Sequence, residues 1–288
     1  MREIILKEIE KRITETVKSN GDFQEERLKR KQKVLQQREA EIVKVNVSGN
    51  IDQIVKRNQE EIINYHLHFQ YLIKQKKLLY LEEEVERRYS VFENGELMKD
   101  EGLMEEGDKS SEPRLMVEEN HDERLSYRYD RLKAVKYAER WWNSYNSAYK
   151  KFEVDCTNFI SQCLHAGGAP MRGQSNRSKG WWMSGNNWSY SWSVANSLRW
   201  YLPSSKVGLR GTEVRGAEEL KLGDVICYDF EGDGRYNHNT IVTAKDAYGF
   251  PLVNAHTHNS RMRYWNYEDS TAYTPNIKYK FFSIVDDA

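Results

Sequence analysis

The 288-residue chain has no excess of charge of either sign: 44 Lys and Arg stand against 44 Asp and Glu. A balanced chain sets up no whole-molecule field to draw it onto nucleic acid or an acidic membrane, so neither is expected as a partner. Long apolar runs are missing too. Nothing approaches the roughly 20 consecutive apolar residues that a membrane helix needs, and no membrane insertion is expected. The first residues, Met1-Arg-Glu-Ile-Ile-Leu-Lys-Glu8, carry charges every few positions and no apolar core. They do not read as a secretory signal. A cytoplasmic location is expected, with spore association or an unusual export route as alternatives.

Cysteine is scarce. Cys156, Cys163 and Cys227 are too few, and odd in number, for a disulfide framework. They fit a reducing compartment, where a special cysteine is more often catalytic than structural. Phosphate loops and nucleotide fingerprints are absent. Gly232-Asp-Gly234 follows a strand but opens no helix. No cofactor is expected.

What is present is unevenly spread. At roughly 100–200 residues per domain, the length suggests two domains. All eight Trp lie at or after Trp141 and all three Cys at or after Cys156, whereas residues 1–100 are built from charged residues and Ile, Val, Leu and Tyr. The change falls in an acidic stretch with Gly, Ser and Pro and no steady period, read as a linker over 101–125. This predicts an N-terminal domain over 1–100 and a second domain over 126–288.

In the first domain, Ile4, Ile5, Ile9, Ile13 and Val17 recur at near-helical spacing over 2–19, and a second, very polar helix is predicted over 24–37. The pattern then changes to period two. Ile42, Val45 and Val47 lie in a β-branched run ending at Ser48-Gly-Asn50. Over 61–74, Tyr65, Leu67, Phe69 and Tyr71 share one face, with His66, His68 and Gln70 on the other. Residues 78–93 are strand-like, although Glu82-Glu-Glu84 suits a helix equally, and Asn94-Gly95 offers a turn. The expectation is a small α+β domain, a helix packed on an antiparallel sheet. His66 and His68 at i, i+2 could chelate metal, but no third ligand is in view, and a polar sheet face is the plainer reading.

The second domain opens with a helix predicted over 129–145, with Leu132, Val135, Ala138 and Trp142 facing inward. Next comes Asp155-Cys-Thr-Asn-Phe-Ile-Ser-Gln-Cys-Leu-His-Ala-Gly-Gly168. Phe159, Ile160, Cys163 and Leu164 form one helical stripe, stopped by Gly167-Gly168 and Pro170. Asp155 suits the N-cap, which puts Cys156 in the first turn. There the unpaired N–H groups and the positive helix end favour a thiolate, which is the nucleophilic form. The Asp155 carboxylate works against this unless it points away into the cap. Cys163 and Cys227 read as core. His238 opens a later strand after a polar loop, and alternation on the next strand puts Asn254, His256 and His258 on one face. A Cys–His pair needs a third group to orient the imidazole, and His256 or Asn254 could supply it.

At this point a resemblance becomes specific. The segment around Cys156, with Ala134-Val-Lys-Tyr-Ala138 before it and Gly180-Trp-Trp182, Ser191-Trp192, Gly223-Asp-Val-Ile226, His238-Asn-Thr-Ile-Val-Thr243 and His256-Thr257 after it, resembles the bacterial putative amidase domain family. That family is a branch of the papain-like cysteine hydrolases related in layout to NlpC-type peptidases. The likeness covers about 128–270. It implies an α+β papain-like fold with the nucleophile helix packed on an antiparallel sheet, Cys156 as nucleophile, His238 as base and His256 as the orienting residue. The implied reaction is hydrolysis of an amide bond, with a peptide, such as one of the peptidoglycan type, or another amide as substrate. The oxyanion would rest on the Cys156 backbone N–H and a second donor, for which Asn158 is one candidate.

Further site-lining residues are Asp155, Asn158, Asn254, His258 and the Trp181–Trp182 pair, whose aromatic loop could border a groove or could cover the sheet as core. Asp229, Glu231 and Asp233 are spaced like the start of a calcium loop but lack its acidic twelfth position, so an acidic turn placing His238 is the stronger reading. Zinc on Cys156, His238, His256 and His258 is disfavoured, since C-x-x-C and H-E-x-x-H are both absent. From another class, a catalytically silent module of the same fold would bind a protein partner through its N-terminal domain.

Overall fold

The computed structural model describes residues 1–17, 25–103 and 127–287. The chain divides into two compact units: Met1–Glu105 with His258–Met262 and Tyr267–Thr271, and the remainder. Most of the linker expected over 101–125 lies outside the described residues. No helix among the described residues is long and apolar enough to cross a membrane.

The first unit holds helices α1 (Arg2–Val17) and α2 (Glu26–Gln37) and strands β1 (Ala40–Arg57), β2 (Glu60–Gln75), β3 (Leu78–Glu93) and β4 (Glu96–Gly102). The strands form an antiparallel meander. β1 runs on past the expected stop at Ser48-Gly-Asn50, because each of its residues from Gly49 to Ile51 keeps a partner on β2. At Asn94-Gly95 both residues have positive φ, 50° and 84°. Glycine takes that conformation without cost and matches a tight hairpin to the sheet twist. On β2, Tyr65, Leu67, Phe69, Tyr71 and Ile73 are buried, while His66 and His68 face the other way, each against a carboxylate: Asp52 at 2.7 Å and Glu83 at 2.9 Å.

The layer between helices and sheet is charged as well as apolar. The strand alternation that buries Tyr80 and Phe92 also buries Glu82, Glu84 and Arg88. Lys31 on α2 pairs with Glu82 and with Asp269 at 3.0 Å, and Arg27 pairs with Glu84. Arg12 on α1 reaches Glu86 at 3.0 Å, and Arg88 reaches Glu86 at 2.6 Å and Asp100 at 3.1 Å. Tyr71 donates to Glu84 at 2.6 Å. Burial pushes the Glu82 carboxyl up from its ordinary value, with Lys31 pulling it back. For Glu86 burial pushes the same way but is outweighed by Arg12, Arg27 and Arg88, which bring its carboxyl below the usual range. Buried charges persist when each has a counter-charge and hydrogen bonds, and removing one partner is costly.

The second unit holds α3 (Arg131–Trp141), α4 (Cys156–Ala166), a two-residue hairpin β5 (Met183–Ser184) and β6 (Asn187–Trp188), α5 (Tyr190–Ser193) and α6 (Ala195–Ser204). Strands β7 (Gly211–Val214), β8 (Val225–Asp229), β9 (His238–Lys245), β10 (Pro251–Ala255), β11 (Ser260–Tyr264) and β12 (Lys278–Ile284) follow. Its antiparallel sheet runs β10-β9-β8-β12-β7. The first residues of β11 belong to the other unit, where Ser260 and Arg261 pair with Glu84 and Glu83 of β3. Phe159, Ile160, Cys163 and Leu164 of α4 pack into one core with Trp181, Trp192, Leu198, Val225, Cys227, Ile241 and Phe282. Full burial of each such side chain stabilises by about 1.5–3 kcal/mol. Gly167 ends α4, and a Cβ there would stand 2.4 Å from the Tyr129 ring, so the close approach requires glycine.

One strand is shorter than expected. β10 stops at Ala255, and 256–259 form a turn. Asn254, His256 and His258 therefore do not share a strand face.

Lys31→Met would leave Glu82 and Asp269 buried without their cation, and a loss of about 3–5 kcal/mol is expected in urea unfolding. Glu83 gives a pH signature. Burial pushes its carboxyl up, but hydrogen bonds from His68, Gln70 and Arg261 outweigh this and hold it near about 2. That lies below its unfolded value of about 4.3, so the stabilisation is present above about pH 4.3 and is lost as pH falls toward 2. Melting temperatures taken from pH 5 to pH 2 should fall less steeply for Glu83→Gln than for the wild type; parallel curves would contradict this assignment.

Candidate active site

The site is built around the start of α4. Asp155 immediately precedes the helix, and its carboxylate does not cap the helix N–H groups. Oδ1 accepts from Phe152 N at 3.0 Å and from Asn158 Nδ2 at 2.9 Å, and Oδ2 lies 2.8 Å from His256 Nδ1. The carboxylate is thus turned into the fold. The capping comes from elsewhere. Thr257 Oγ1 accepts from Asp155 N at 3.1 Å and from Cys156 N at 3.2 Å. Thr257 holds φ at 81°, a conformation that β-branched residues rarely adopt. Strain of this kind gathers where the surrounding structure over-determines a functional geometry.

His256 is 2% exposed, its ring stacked on Phe159 at 3.9 Å and edge-on to Tyr145 at 5.0 Å. Its Nε2 faces the Trp141 carbonyl at 2.7 Å. A carbonyl only accepts, so Nε2 carries the hydrogen, and Nδ1 is left to Asp155. Both ring nitrogens are engaged, so His256 holds Asp155 and the segment leading into α4.

Cys156 is 1% exposed, with Thr157 Oγ1 3.7 Å from its sulfur. α4 packs on β9, and Asn239 Nδ2 donates to Thr157 Oγ1 at 3.1 Å. Successive strand residues alternate faces, so Asn239 takes the α4 side. His238 pairs across with Tyr228, its ring 5.6 Å from that of Tyr228 and 6.1 Å from that of Phe230. The structure therefore brings the starts of α4 and β9 together, and Asn239 of β9 is bonded to α4. Cys163 and Cys227 are fully buried, and burial pushes both thiols up; Cys156 adds to the shift at Cys227.

Other expected site residues have structural duties. Asn158 donates to the Lys150 carbonyl at 2.9 Å and accepts from Trp192 Nε1 at 2.8 Å. Asn254 donates to Glu139 at 2.8 Å and accepts from Thr243 at 2.8 Å. His258 belongs to the other unit. Trp181 and Trp182 are buried, their indole N–H groups bonded to Ser161 and the Lys179 carbonyl, so they are core and do not wall a groove. Asp229 spends its carboxylate on the N–H groups of Gly232, Asp233 and Gly234, and Glu231 bonds Asn237. Among the described residues no group of three His, Cys, Asp or Glu side chains is arranged to hold a metal ion. Thr257 and Asn239 went unsignalled by spacing or periodicity; the one hint was their position directly after two motif histidines.

Cys156 stands on the first turn of a helix packed against an antiparallel sheet. Residues 128–282 match the model of the Putative amidase domain, and the chain belongs to that family. It is 51% identical over 268 residues to Uncharacterized protein YhbB of Bacillus subtilis (strain 168), covering 90% of this chain and 86% of that protein. It is 32% identical over 126 residues to Uncharacterized protein YjcM of the same strain, covering 41% of this chain and 28% of that one. No solved structure matches the chain.

Thr257→Val should cost about 1–2 kcal/mol in thermal or urea unfolding, the usual range for a lost helix cap, while Thr257→Ser should stay close to wild type. Equal stability of the two variants would show that the hydroxyl does not cap α4.

Proposed function

We propose that the chain is a cysteine-dependent hydrolase of amide bonds, with peptides of the peptidoglycan type as substrates. Cys156 attacks the carbonyl carbon as a thiolate. His238, as base, takes the thiol proton and returns it to the leaving amine, and water then releases the acyl group from sulfur. The observation that carries this reading is the placement of Cys156. It is the first residue of α4, at the positive end of the helix, and the one adjacent carboxylate is turned away into His256, Asn158 and the Phe152 N–H. The bond between Asn239 and Thr157 ties together the residues that follow His238 and Cys156. Proton transfer requires the His238 imidazole to lie within hydrogen-bond reach of the Cys156 sulfur.

One observation favours a second reading, a catalytically silent module that binds a partner through the first unit: the near-complete burial of Cys156. The two readings part at the thiol. Alkylation of Cys156 by iodoacetamide, followed against pH in wild type and His238→Ala, should reveal a thiol titrating well below the free value of about 8.5 that reverts toward it in the variant. Slow labelling with an ordinary or raised value, unmoved by the substitution, would decide for the silent module.

A further inference from the structure

The donors expected at an oxyanion are already committed. Cys156 N gives its hydrogen to Thr257, and the Asn158 amide donates to Lys150 and Asp155. A tetrahedral intermediate on Cys156 would therefore need another partner for its negative oxygen. Asn239 is fully buried, on the α4 side of β9. One end of its amide meets Thr157 Oγ1 at 3.1 Å, and that oxygen lies 3.7 Å from the Cys156 sulfur. The other end, Oδ1, has no hydrogen-bond partner among the described residues. The oxygen and nitrogen of an amide are alike in shape, so Thr157 can hold either, and in both orientations the opposite end is left unmatched. With Oδ1 accepting from the Thr157 hydroxyl, both hydrogens of Nδ2 become available. A buried polar group without a partner is uncommon and calls for a reason, and a partner that exists only during the reaction is one.

We propose that Asn239 is a catalytic residue that donates its side-chain N–H to the oxyanion formed when Cys156 attacks a carbonyl. This rests on the reading of Cys156 as nucleophile. Thr157 is then a positioning residue: it fixes one end of the amide before any substrate arrives. Preorganised donors of this kind stabilise developing charge without reorganising at the moment of reaction.

The test compares two reactions of the same sulfur in the full chain. Alkylation by iodoacetamide displaces iodide at a saturated carbon and forms no oxyanion. Acylation by p-nitrophenyl acetate passes through one: the Cys156 S–C bond forms, the ester C–O bond breaks and p-nitrophenolate leaves. Asn239→Ala and the near-isosteric Asn239→Leu should leave alkylation within about twofold of wild type and slow acylation about 10²–10³-fold, the usual effect of losing one such donor. Asn239→Gln, which keeps an amide at a different reach, should fall between. Acylation that keeps pace with alkylation in the variants overturns the assignment. So does a proportional fall in both, which marks Asn239 as merely structural, and so does a wild type that is alkylated but never acylated. A wild-type Cys156 inert to iodoacetamide rejects the cysteine-hydrolase reading itself and this assignment with it.

Discussion

The hydrogen-bonded pair of Asp155 and His256 is the constraint on which the site depends. It joins residues 101 positions apart and is buried on all sides. Charged or strongly polar groups in such surroundings are tolerated only when fully matched. Here Phe152 N, Asn158 Nδ2 and the Trp141 carbonyl complete the matching. The consequence is geometric. With His256 anchored, Thr257 is forced to positive φ, its hydroxyl lands on the first N–H groups of α4, and Cys156 is set at a defined place beside β9. His256 thus serves as a brace for the start of α4.

The first unit solves a similar problem on a larger scale. Its helices would suit an apolar sheet face, yet Glu82, Glu84 and Arg88 occupy buried positions there alongside the partly buried Glu86. Glu82, Glu84 and Glu86 are matched rung by rung by Lys31, Arg27 and Arg12, and Arg88 by Glu86 and Asp100. Ion pairs of this kind add little net stability over well-packed apolar residues, but their geometry is demanding, and one register of helices on sheet satisfies all of them together. Aromatic rings share the layer: Lys31 lies 4.5 Å from the Tyr71 ring centre, and Arg12 5.4 Å from that of Phe69.

The legible parts were those written in local periodicity. The helices of the first unit, the alternation of Tyr65, Leu67, Phe69 and Tyr71, the turn at Asn94-Gly95 and the helix bearing Cys156 follow from spacing within a few residues. The illegible parts are pairings across long separations. Nothing in the pattern of Glu82-Glu-Glu84 says that Lys31 will lie opposite, so the run reads as helix or strand with equal ease. The end of β10 at Ala255 was hidden because the polar residues after it alternate as a strand would, while the turn there is imposed by the bond of His256 to Asp155. Trp181 and Trp182 sit among Gly, Ser and Asn, a composition that suggests a surface loop, yet their bonds to Ser161 and Lys179 draw them into the core. Asn239 escaped notice for the same reason: its bond to Thr157 depends on how α4 and β9 pack.

The path of the backbone carries one more implication. The first unit is completed by residues near the far end of the chain. Asp269 supplies the second carboxylate to Lys31, and the carbonyls of Glu268 and Ser270 accept from Arg30. Arg261 closes the outer face against Glu83. On a ribosome the N-terminal helices and meander emerge first, but Lys31 lacks Asp269 and Glu83 lacks Arg261 until the far end of the chain has been made, since residues 106–257 all belong to the other unit. The two units are therefore interleaved in time. The early one waits for the late one to be synthesised, and a cut after residue 105 would release an N-terminal fragment lacking Asp269 and Arg261.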